Sequence, residues 1–459
     1  MSVFSLSNLK KTWYYLQKNG IRNAVWAVLE RIGQEQEVYT WQEPDEKTLS
    51  FQREHSASLR ISIVVPAYRT KKEHLEAMLN SVSKQSYPHW ELIVADAGGT
   101  AEPVQTWAKK NGICLRKAAD ASNLAEWKDQ SIMLCTLSEN KGISANTNAG
   151  IELAAGDAVG LLDHDDLLTA NALWEMADCL EKEKKRGKQK LVLFSDEDKC
   201  DGAASRFYEP NFKPDFDGEL LLTNNYICHF TVIETAFLKE LRLRSGFDGA
   251  QDYDLVLRAY AAGGQFVHVP KVLYHWRCHE ASTASNPQSK RYAYEAGQRA
   301  LEDYCLRKGW KATVSGLKHL GFYREDYEDS VFCQRPEIGI WAKPLPGGRD
   351  IFGIRHPKGF LVSGLYENDG LMRYAGLRKG YSGPMHRAAL QQSAPAADLR
   401  SMEVCSALKE RYAQTIAELK EACQGLPTAA QETKILQKSM EFCKEATAAG
   451  YGILWDPQA

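Results

Sequence analysis

Carboxylates at the end of an apolar run are the first candidates for chemistry in this 459-residue chain. The run Val159–Leu162 is followed at once by Asp163, His164, Asp165 and Asp166. Two carboxylates one residue apart can hold Mg²⁺ or Mn²⁺ against the oxygens of a diphosphate. Asp163 and Asp165 are therefore predicted as a metal site, against the alternative that the acidic segment is only a solvated turn.

Two further acids stand at boundaries between predicted elements. Asp96 ends a β-branched run and precedes Gly98-Gly99, where it could accept hydrogen bonds from a base or ribose. It could equally close its own turn. Asp252 begins a predicted helix, where it could be a general base for an acceptor hydroxyl or an N-cap. The residues alone leave the two alternatives for Asp96 open, and for Asp252 they favour the N-cap.

A fourth candidate segment contains two histidines and an arginine within the six residues Tyr274–His279. His275 is a candidate for a further metal ligand, and Arg277 for a contact to the diphosphate. A single histidine in such a segment more often has a structural role. The close spacing of two histidines and an arginine therefore favours a role in ligand binding only modestly.

The elements that would position these residues alternate between strands and helices. Ile61–Pro66 and Glu91–Asp96 are predicted strands, with a helix over Lys72–Gln85 between them. This alternation predicts an α/β fold with parallel strands and crossover helices. Ligands gather at the carboxyl ends of the strands in such sheets, which is where Asp96 and Asp163 lie.

Composition narrows the function classes. The formal net charge of −2 argues against a nucleic-acid partner. The 11 cysteines form no C-x-x-C pair, which favours reduced thiols over disulfides or structural zinc. No apolar run approaches the roughly 18 residues of a membrane span. These features predict a cytoplasmic protein.

Residues 1–50 are predicted as a helical N-terminal segment. Lys10, Lys11 and Lys18 accompany Trp13 and Tyr14, a composition that suits an anionic membrane surface. Packing of the segment on the neighbouring domain is the favoured alternative. The sequence therefore leaves open a peripheral contact with the inner face of the plasma membrane.

An ordered set of motifs resembles the family 2 glycosyltransferases. The motifs occur in the family's order and spacing over roughly 59–309, and they are Ser62–Tyr68, Val94–Gly99, Glu139–Asn148, Leu161–Asp166 and Gln251–Asp254. The resemblance implies a GT-A fold, which is Rossmann-like, a nucleoside-diphosphate sugar donor, a divalent metal (Mn²⁺ or Mg²⁺) and an inverting single displacement. Phe194–Lys199 and Phe212–Asp215 resemble the bacterial polysaccharide and O-antigen-building branch.

The resemblance also implies roles for individual residues. Pro66, Tyr68 and Asp96 would contact the nucleoside, Asp163 with Asp165 would form the metal and donor site, and Asp252 would be the base. Two departures stand out: Ala95 replaces an acid that many members have before Asp96, and Gln251 replaces the usual Glu before Asp252. The presumed base is retained, whereas its neighbour is not.

The predicted organisation has four parts. A helical segment at 1–50 precedes a GT-A catalytic domain at 59–310, a linker or extension at 311–348, and a smaller α/β domain at 349–459 that resembles a degenerate acceptor half. The predicted partners are the sugar donor and a glycan or lipid-linked glycan acceptor in cell-surface polysaccharide synthesis, with a homodimer left open. The alternatives are a non-catalytic scaffold or glycan-binding subunit of a polysaccharide assembly complex and, less favoured, a sugar nucleotidyltransferase.

Overall fold

The computed structural model describes residues 39–118, 127–278, 291–316 and 321–342, and then 372–374, 402–422, 448–455 and single residues between the last two ranges. Most of the predicted N-terminal segment, residues 1–38, lies outside the described residues. The predicted boundary at 344–348 and most of the predicted C-terminal domain lie outside them as well.

The described residues form strands and helices that we number in chain order. The strands are β1 Ile61–Ala67, β2 Trp90–Asp96, β3 Cys114–Lys117, β4 Ser131–Thr136, β5 Ala158–Leu161, β6 Leu167–Leu168, β7 Leu191–Cys200, β8 Phe207–Asn211, β9 Thr231–Glu234, β10 Gln265–Arg277, β11 Ala312–Gly316, β12 Tyr323–Tyr327, β13 Ile338–Ala342, β14 Met372–Tyr374, β15 Met402–Val404 and β16 Gly452–Trp455. The helices are α1 Glu46–Glu54, α2 Lys72–Ser83, α3 Ala101–Asn111, α4 Ile143–Leu153, α5 Ala172–Lys185, α6 Gly218–Thr223, α7 Thr235–Leu241, α8 Gln251–Ala261, α9 Arg291–Arg307, α10 Val331–Gln334, α11 Ser406–Arg411 and α12 Ala413–Ala422.

One large sheet organises the first three hundred residues. Its strand order is β3-β4-β2-β1-β5-β9-β7-β10-β6, with β8 paired to β7. The strands from β3 to β5 are parallel, β9 runs antiparallel between β5 and β7, and β10 is parallel to β7. The predicted α/β fold class, with a mostly parallel sheet and crossover helices, is confirmed.

Helices cover both faces of the sheet, which explains why its central strands are apolar without alternation. Ile63 of β1 packs with Leu75 of α2 on one face, and Val64 packs with Ile151 of α4 on the other. The close approach of α4 requires Gly150, because a Cβ there would lie 2.7 Å from the Val64 side chain. The main core of the protein therefore lies on the two faces of this sheet.

The predicted extension at 311–348 contains a hairpin that packs on the preceding domain. Strands β11 and β12 pair antiparallel. Val314 and Tyr323 from this hairpin lie in the same apolar cluster as Tyr253 of α8 and Leu301 of α9. The hairpin thus adds to the core around the start of α8. The division of the chain into four parts stays a prediction.

A second sheet contains the strands that follow. It has the order β14-β16-β13-β15, in which β13 and β16 are parallel and the other pairs antiparallel. Helices α11 and α12 follow β15 directly. None of the described helices combines the length and the apolar character that crossing a bilayer requires.

The hairpin places one carboxyl group in an unfavourable environment. Glu325 is buried, and its Oε1 has no hydrogen-bond partner among the described residues. Burial, followed by the nearby Glu219 carboxylate, raises the pKa of Glu325 to about 8, although Arg335 opposes the shift. Arg335 forms a buried ion pair with Glu219, at 2.6 and 2.7 Å. Glu325 is therefore protonated in the folded protein at neutral pH.

We expect Glu325→Gln to stabilise the protein selectively at alkaline pH. The unfolded chain releases this proton near its ordinary pKa, so the wild type loses stability as pH rises from about 4.5 to about 8. The variant should exceed the wild type in free energy of unfolding by roughly 4 kcal/mol near pH 8 and by only about 1 kcal/mol near pH 5. Urea denaturation at both pH values measures this. The exposed Glu328→Gln is the control, and an equal difference at both pH values would contradict the assignment.

Candidate functional site

Three neighbouring parallel strands end at one edge of the large sheet. Ala67 at the end of β1 pairs with Asp96 at the end of β2. On the other side of β1, the backbone N–H of Leu162 donates to the Val64 carbonyl at 3.1 Å, so Asp163 follows just beyond β5. The predicted nucleoside segment and the predicted acidic pair therefore meet at the same edge, as parallel topology requires.

Asp96 uses its carboxylate to hold the turn that follows β2. Its oxygens accept hydrogen bonds from the backbone N–H groups of Gly98, Thr100 and Ala101 at 2.9–3.1 Å. The side chain is almost fully buried. Of the two alternatives left open by the sequence, these contacts are those of an acid that closes its own turn, and they shape the loop at the strand end.

Tyr68 is the exposed aromatic residue of this loop. Its side chain is 40% exposed and lies beside Gly98, where an added Cβ would be 3.5 Å from the ring. The Arg69 guanidinium lies 5.0 Å from the ring centroid. Pro66, two residues earlier, is half-buried at the end of β1. Pro66, Tyr68 and the Asp96 turn are thus brought together, with an aromatic face open to a ligand.

The acidic segment after β5 divides into buried and accessible carboxylates. Asp166 is buried and accepts hydrogen bonds from the Tyr274 hydroxyl at 2.5 Å and from the Arg277 backbone N–H at 2.7 Å. Burial, with Asp163 and Asp165 nearby, raises the pKa of Asp166 well above its usual range. Asp166 therefore attaches the segment to β10 and does not face a ligand.

Asp163 and Asp165 are the accessible members of the segment. Their side chains are 45% and 23% exposed. The pKa of Asp163 is raised, first by loss of solvation in the cleft and then by the charges of Asp165 and Asp252, while His229 and His164 oppose the shift. Like charges that crowd a cleft in this way fit a divalent cation, which would relieve their repulsion.

Asp252 lies in the first turn of α8 but does not cap it. The N-cap residue is Ala250, which has no side chain for capping. The Asn225 amide donates to Asp252 Oδ2 at 2.9 Å, and the Asp252 side chain is half-buried. The charge of Asp252 also contributes to the raised pKa of Asp163. The next acid, Asp254, is instead buried.

His275 points away from this cleft. Its Nδ1 lies within hydrogen-bond distance of Asp198, and its ring packs against Trp41 and Phe207, with centroids 4.9 and 4.3 Å apart. Side chains alternate between the two faces of a strand. Tyr274 and Trp276 therefore share the face of β10 that lies toward the cleft, and His275 lies on the opposite face. The structure therefore does not bring the predicted ligand His275 to Asp163.

The imidazole beside Asp163 is that of His229. Its Nε2 lies 3.9 Å from Asp163 Oδ2, and its ring stacks on Tyr274 with centroids 4.8 Å apart. The Glu197 carboxylate accepts from the His229 backbone N–H at 2.7 Å and lies 3.1 Å from its Nδ1. Burial works against ionisation of Glu197, but Lys213 and His229 lower its pKa to about 2.

His229 and Asn225 were missed by sequence reasoning. They lie in a loop that precedes the short strand β9, with no acidic cluster or glycine turn beside them. The available signal for His229 was the Phe194–Lys199 motif, which lies on β7. This strand carries Glu197, the partner of His229, and pairs with β9. That pairing is a tertiary contact, so the linear pattern could not reveal it.

Arg277 is buried and attached to the backbone of its neighbours. Its Nε donates to the Asp165 carbonyl at 2.5 Å and its Nη1 to the Gly202 carbonyl at 2.7 Å. Its Nη2 has no hydrogen-bond partner among the described residues. The predicted diphosphate contact is thus joined directly to the segment that carries the predicted metal ligands.

The chain is similar to glycosyltransferases of polysaccharide synthesis. Residues 62–242 match the family model described as glycosyl transferase family 2. The O-antigen biosynthesis protein RfbC of Myxococcus xanthus is 34% identical over 56% of this chain and 19% of its own length. The amylovoran biosynthesis glycosyltransferase AmsB of Erwinia amylovora is 28% identical over 47% of this chain and 70% of its own length.

A solved structure with a similar arrangement is TarS 1–349 of S. aureus in complex with UDP-GlcNAc. The matched region covers 54% of this chain and 67% of the TarS chain, with 20% identity and a TM-score of 0.41. At this distance the likeness does not extend to individual site residues. This chain covers only about a quarter of the length of one curated relative and about a fifth of the length of another. Each of these matches includes more than half of this chain.

We expect Asp96→Ala to destabilise the protein by about 2–3 kcal/mol, because it leaves three backbone N–H groups of a largely buried turn without their charged acceptor. Chemical denaturation measures the change. Asp157→Ala is the matched control, since Asp157 accepts one exposed N–H, that of Arg60. A stability of Asp96→Ala equal to that of the wild type would show that the carboxylate does not hold the turn.

Proposed function

We propose that this chain, whose residues 62–242 match the model of glycosyl transferase family 2, transfers a sugar from a nucleoside-diphosphate sugar to a hydroxyl group of a glycan. The names of RfbC and AmsB associate those proteins with O-antigen and amylovoran synthesis. Their similarity supports a bacterial cell-surface polysaccharide, free or lipid-linked, as the class of acceptor for this chain.

The observation that carries the proposal is the convergence of Asp252 with Asp163 on one cleft. Asp252 begins a helix, and Asp163 follows a strand on the other side of the cleft. His229 Nε2 lies 3.9 Å from Asp163 Oδ2, and a ring nitrogen of His229 lies within 4.8 Å of an Asp252 carboxylate oxygen, so the two acids lie close together. An acid for the acceptor hydroxyl opposite an acid for the donor's cation is the arrangement that sugar transfer needs.

Asp163 and Asp165 would hold the divalent cation. Mg²⁺ and Mn²⁺ prefer oxygen ligands, and this pair supplies two accessible carboxylates. When bound, the cation would neutralise charge on the diphosphate of the donor and so favour its departure. Arg277, with one Nη2 unpartnered among the described residues, would add a positive charge near the same group.

Asp252 would act as the general base. In our mechanism it takes the proton of the acceptor hydroxyl while that oxygen attacks the anomeric carbon, and the bond to the nucleoside diphosphate breaks on the opposite face. A single displacement of this kind inverts the anomeric configuration. Asn225 would orient the carboxylate through the hydrogen bond to Oδ2, which keeps Oδ1 for the acceptor.

The loop at the ends of β1 and β2 would receive the nucleoside. Tyr68 offers an exposed ring on which a base can stack, and Pro66 lies at the base of the same loop. Asp96 would act through the shape of the turn that it holds. For the rest of the chain we propose that residues 349–459 shape the acceptor site, and that the enzyme works at the inner face of the plasma membrane.

A donor screen tests the proposed function. Free nucleotide released from UDP-, GDP- and dTDP-sugars is measured with Mn²⁺ or Mg²⁺, for wild type and Asp163→Ala. We expect metal-dependent turnover of one donor that Asp163→Ala reduces by at least about 10²-fold, because the diphosphate charge is no longer neutralised. If no donor turns over, calorimetry with the same nucleotides decides. Absence of metal-dependent binding would contradict the enzyme and favour a scaffold.

Asp252→Asn tests the assignment of the base. The variant keeps the shape of the side chain but cannot accept the proton, so we expect turnover to fall by roughly 10²- to 10⁴-fold with donor affinity unchanged. Transfer rates and donor binding are measured on the same preparations. Gln251→Glu, a neighbouring change that restores the acid usual in the family, is the control. A parallel loss of donor binding in Asp252→Asn would contradict the role of base.

A further inference from the structure

A second group of potential ligands lies beside the proposed acidic pair, and its chemistry is different. Cys228, His229 and Asp252 each offer one ligand atom, and these three atoms lie within 4.8 Å of one another. All three residues are half-buried, so a small ion can reach them from the cleft. Two come from the loop before β9 and the third from the start of α8, which gives the group its convergent geometry.

The distances suit a single small ion. Zinc forms bonds of about 2.0–2.3 Å to nitrogen, oxygen and sulfur, which places the ligand atoms of a tetrahedral site roughly 3.3–3.8 Å apart. The ligand atoms therefore need to approach one another by at most about 1.5 Å, which side-chain rotations can supply. A tetrahedral ion held by these three residues keeps one position for a further ligand from the cleft.

Two neighbouring residues orient the ligand atoms. Glu197 lies 3.1 Å from His229 Nδ1, so Nε2 is the ring nitrogen that remains for an ion. A carboxylate on the second nitrogen of a ligating histidine is the usual support at zinc sites. Asn225 donates to Asp252 Oδ2, so Oδ1 is the carboxylate oxygen that this hydrogen bond leaves for an ion. Two of the three ligands are thus positioned by hydrogen bonds that are already present.

The ligand types select the ion. A thiolate, an imidazole and a carboxylate together favour Zn²⁺ or Co²⁺, whereas Mg²⁺ and Mn²⁺ prefer sites built from oxygen alone. The pair Asp163 and Asp165 offers oxygen only. The cleft therefore contains two adjacent ligand sets of different softness, and the softer set includes the proposed general base.

We propose that Cys228, His229 and Asp252 form an inhibitory site for a soft divalent cation of the zinc class. The inhibitory consequence rests on the proposed function, because coordination occupies the Asp252 carboxylate that would accept the proton of the acceptor. Zinc therefore stops transfer even when Mg²⁺ or Mn²⁺ is in excess. The site itself is independent of the reaction, since it depends only on the three ligands.

Cobalt absorption tests the site without any assay of transfer. Co²⁺ is titrated into the full-length protein, and a sulfur-to-cobalt charge-transfer band with the intense visible bands of tetrahedral cobalt is the expected result. Zn²⁺ affinity follows from competition with a chromogenic chelator. Cys228→Ser should lose the charge-transfer band and bind Zn²⁺ roughly 10- to 100-fold more weakly. Cys114→Ser, at the opposite edge of the sheet on β3, should retain both.

Further variants keep the test decisive. Circular dichroism confirms that each variant is folded, and Cys228→Ala replaces Cys228→Ser if the latter is not. Asp252→Asn should retain the charge-transfer band with weaker affinity, since the thiolate remains. A wild type without the band, a band that survives in Cys228→Ser, or a band that disappears in Cys114→Ser would overturn the site.

Inhibition is measured separately, as the ratio of each protein's transfer rate with and without Zn²⁺ under excess Mg²⁺. We expect at least about tenfold inhibition of the wild type and of Cys114→Ser, and at most twofold for Cys228→Ser. A wild type that shows the cobalt bands but is not inhibited would overturn the regulatory role. If the wild type transfers no sugar at all, the proposed function fails, and the cobalt spectrum still decides whether the site exists.

Discussion

The buried carboxylate of Asp166 is the interaction on which the geometry of the site depends. It accepts hydrogen bonds from Tyr274 and from the backbone of Arg277, and so ties the acidic segment after β5 to strand β10. Removing either donor would leave a buried acceptor unsatisfied, at a cost of about 1–3 kcal/mol. Through this attachment the Tyr274 ring is positioned to stack on His229, and Arg277 to bond the carbonyl of Asp165.

In two pairs of neighbouring acids, one carboxylate is buried within the protein and the other faces the cleft. Asp254 is buried and bonded by Arg258 and Arg244, at 2.9 and 3.1 Å, so its charge is neutralised within the protein. Residues two apart on a helix point to nearly opposite sides, which turns Asp252 to the cleft when Asp254 enters the core. Asp163, likewise, keeps an exposed carboxylate while Asp166 is enclosed. The negative charge that remains in the cleft is the feature that makes it suitable for cations.

The strands, the fold class and the acids at the strand ends follow from the amino-acid sequence. Apolar runs such as Ile61–Pro66 have few alternatives to a buried strand, and parallel strands separated by helices must end at one edge of the sheet. That rule is enough to bring Asp96 and Asp163 together. The ordered motifs likewise led to glycosyltransferase family 2, whose model matches residues 62–242.

Which side chains face the cleft depends on contacts between distant parts of the chain. His275 carried the stronger sequence signal, yet the alternation of β10 turns it toward Asp198, and pairing of β9 with β5 and β7 brings His229 to Asp163 instead. The three backbone N–H groups that donate to Asp96 are likewise known only from the folded structure. The reason is physical: periodicity specifies which element a residue joins, whereas face and partner depend on strand pairing between residues far apart in the chain.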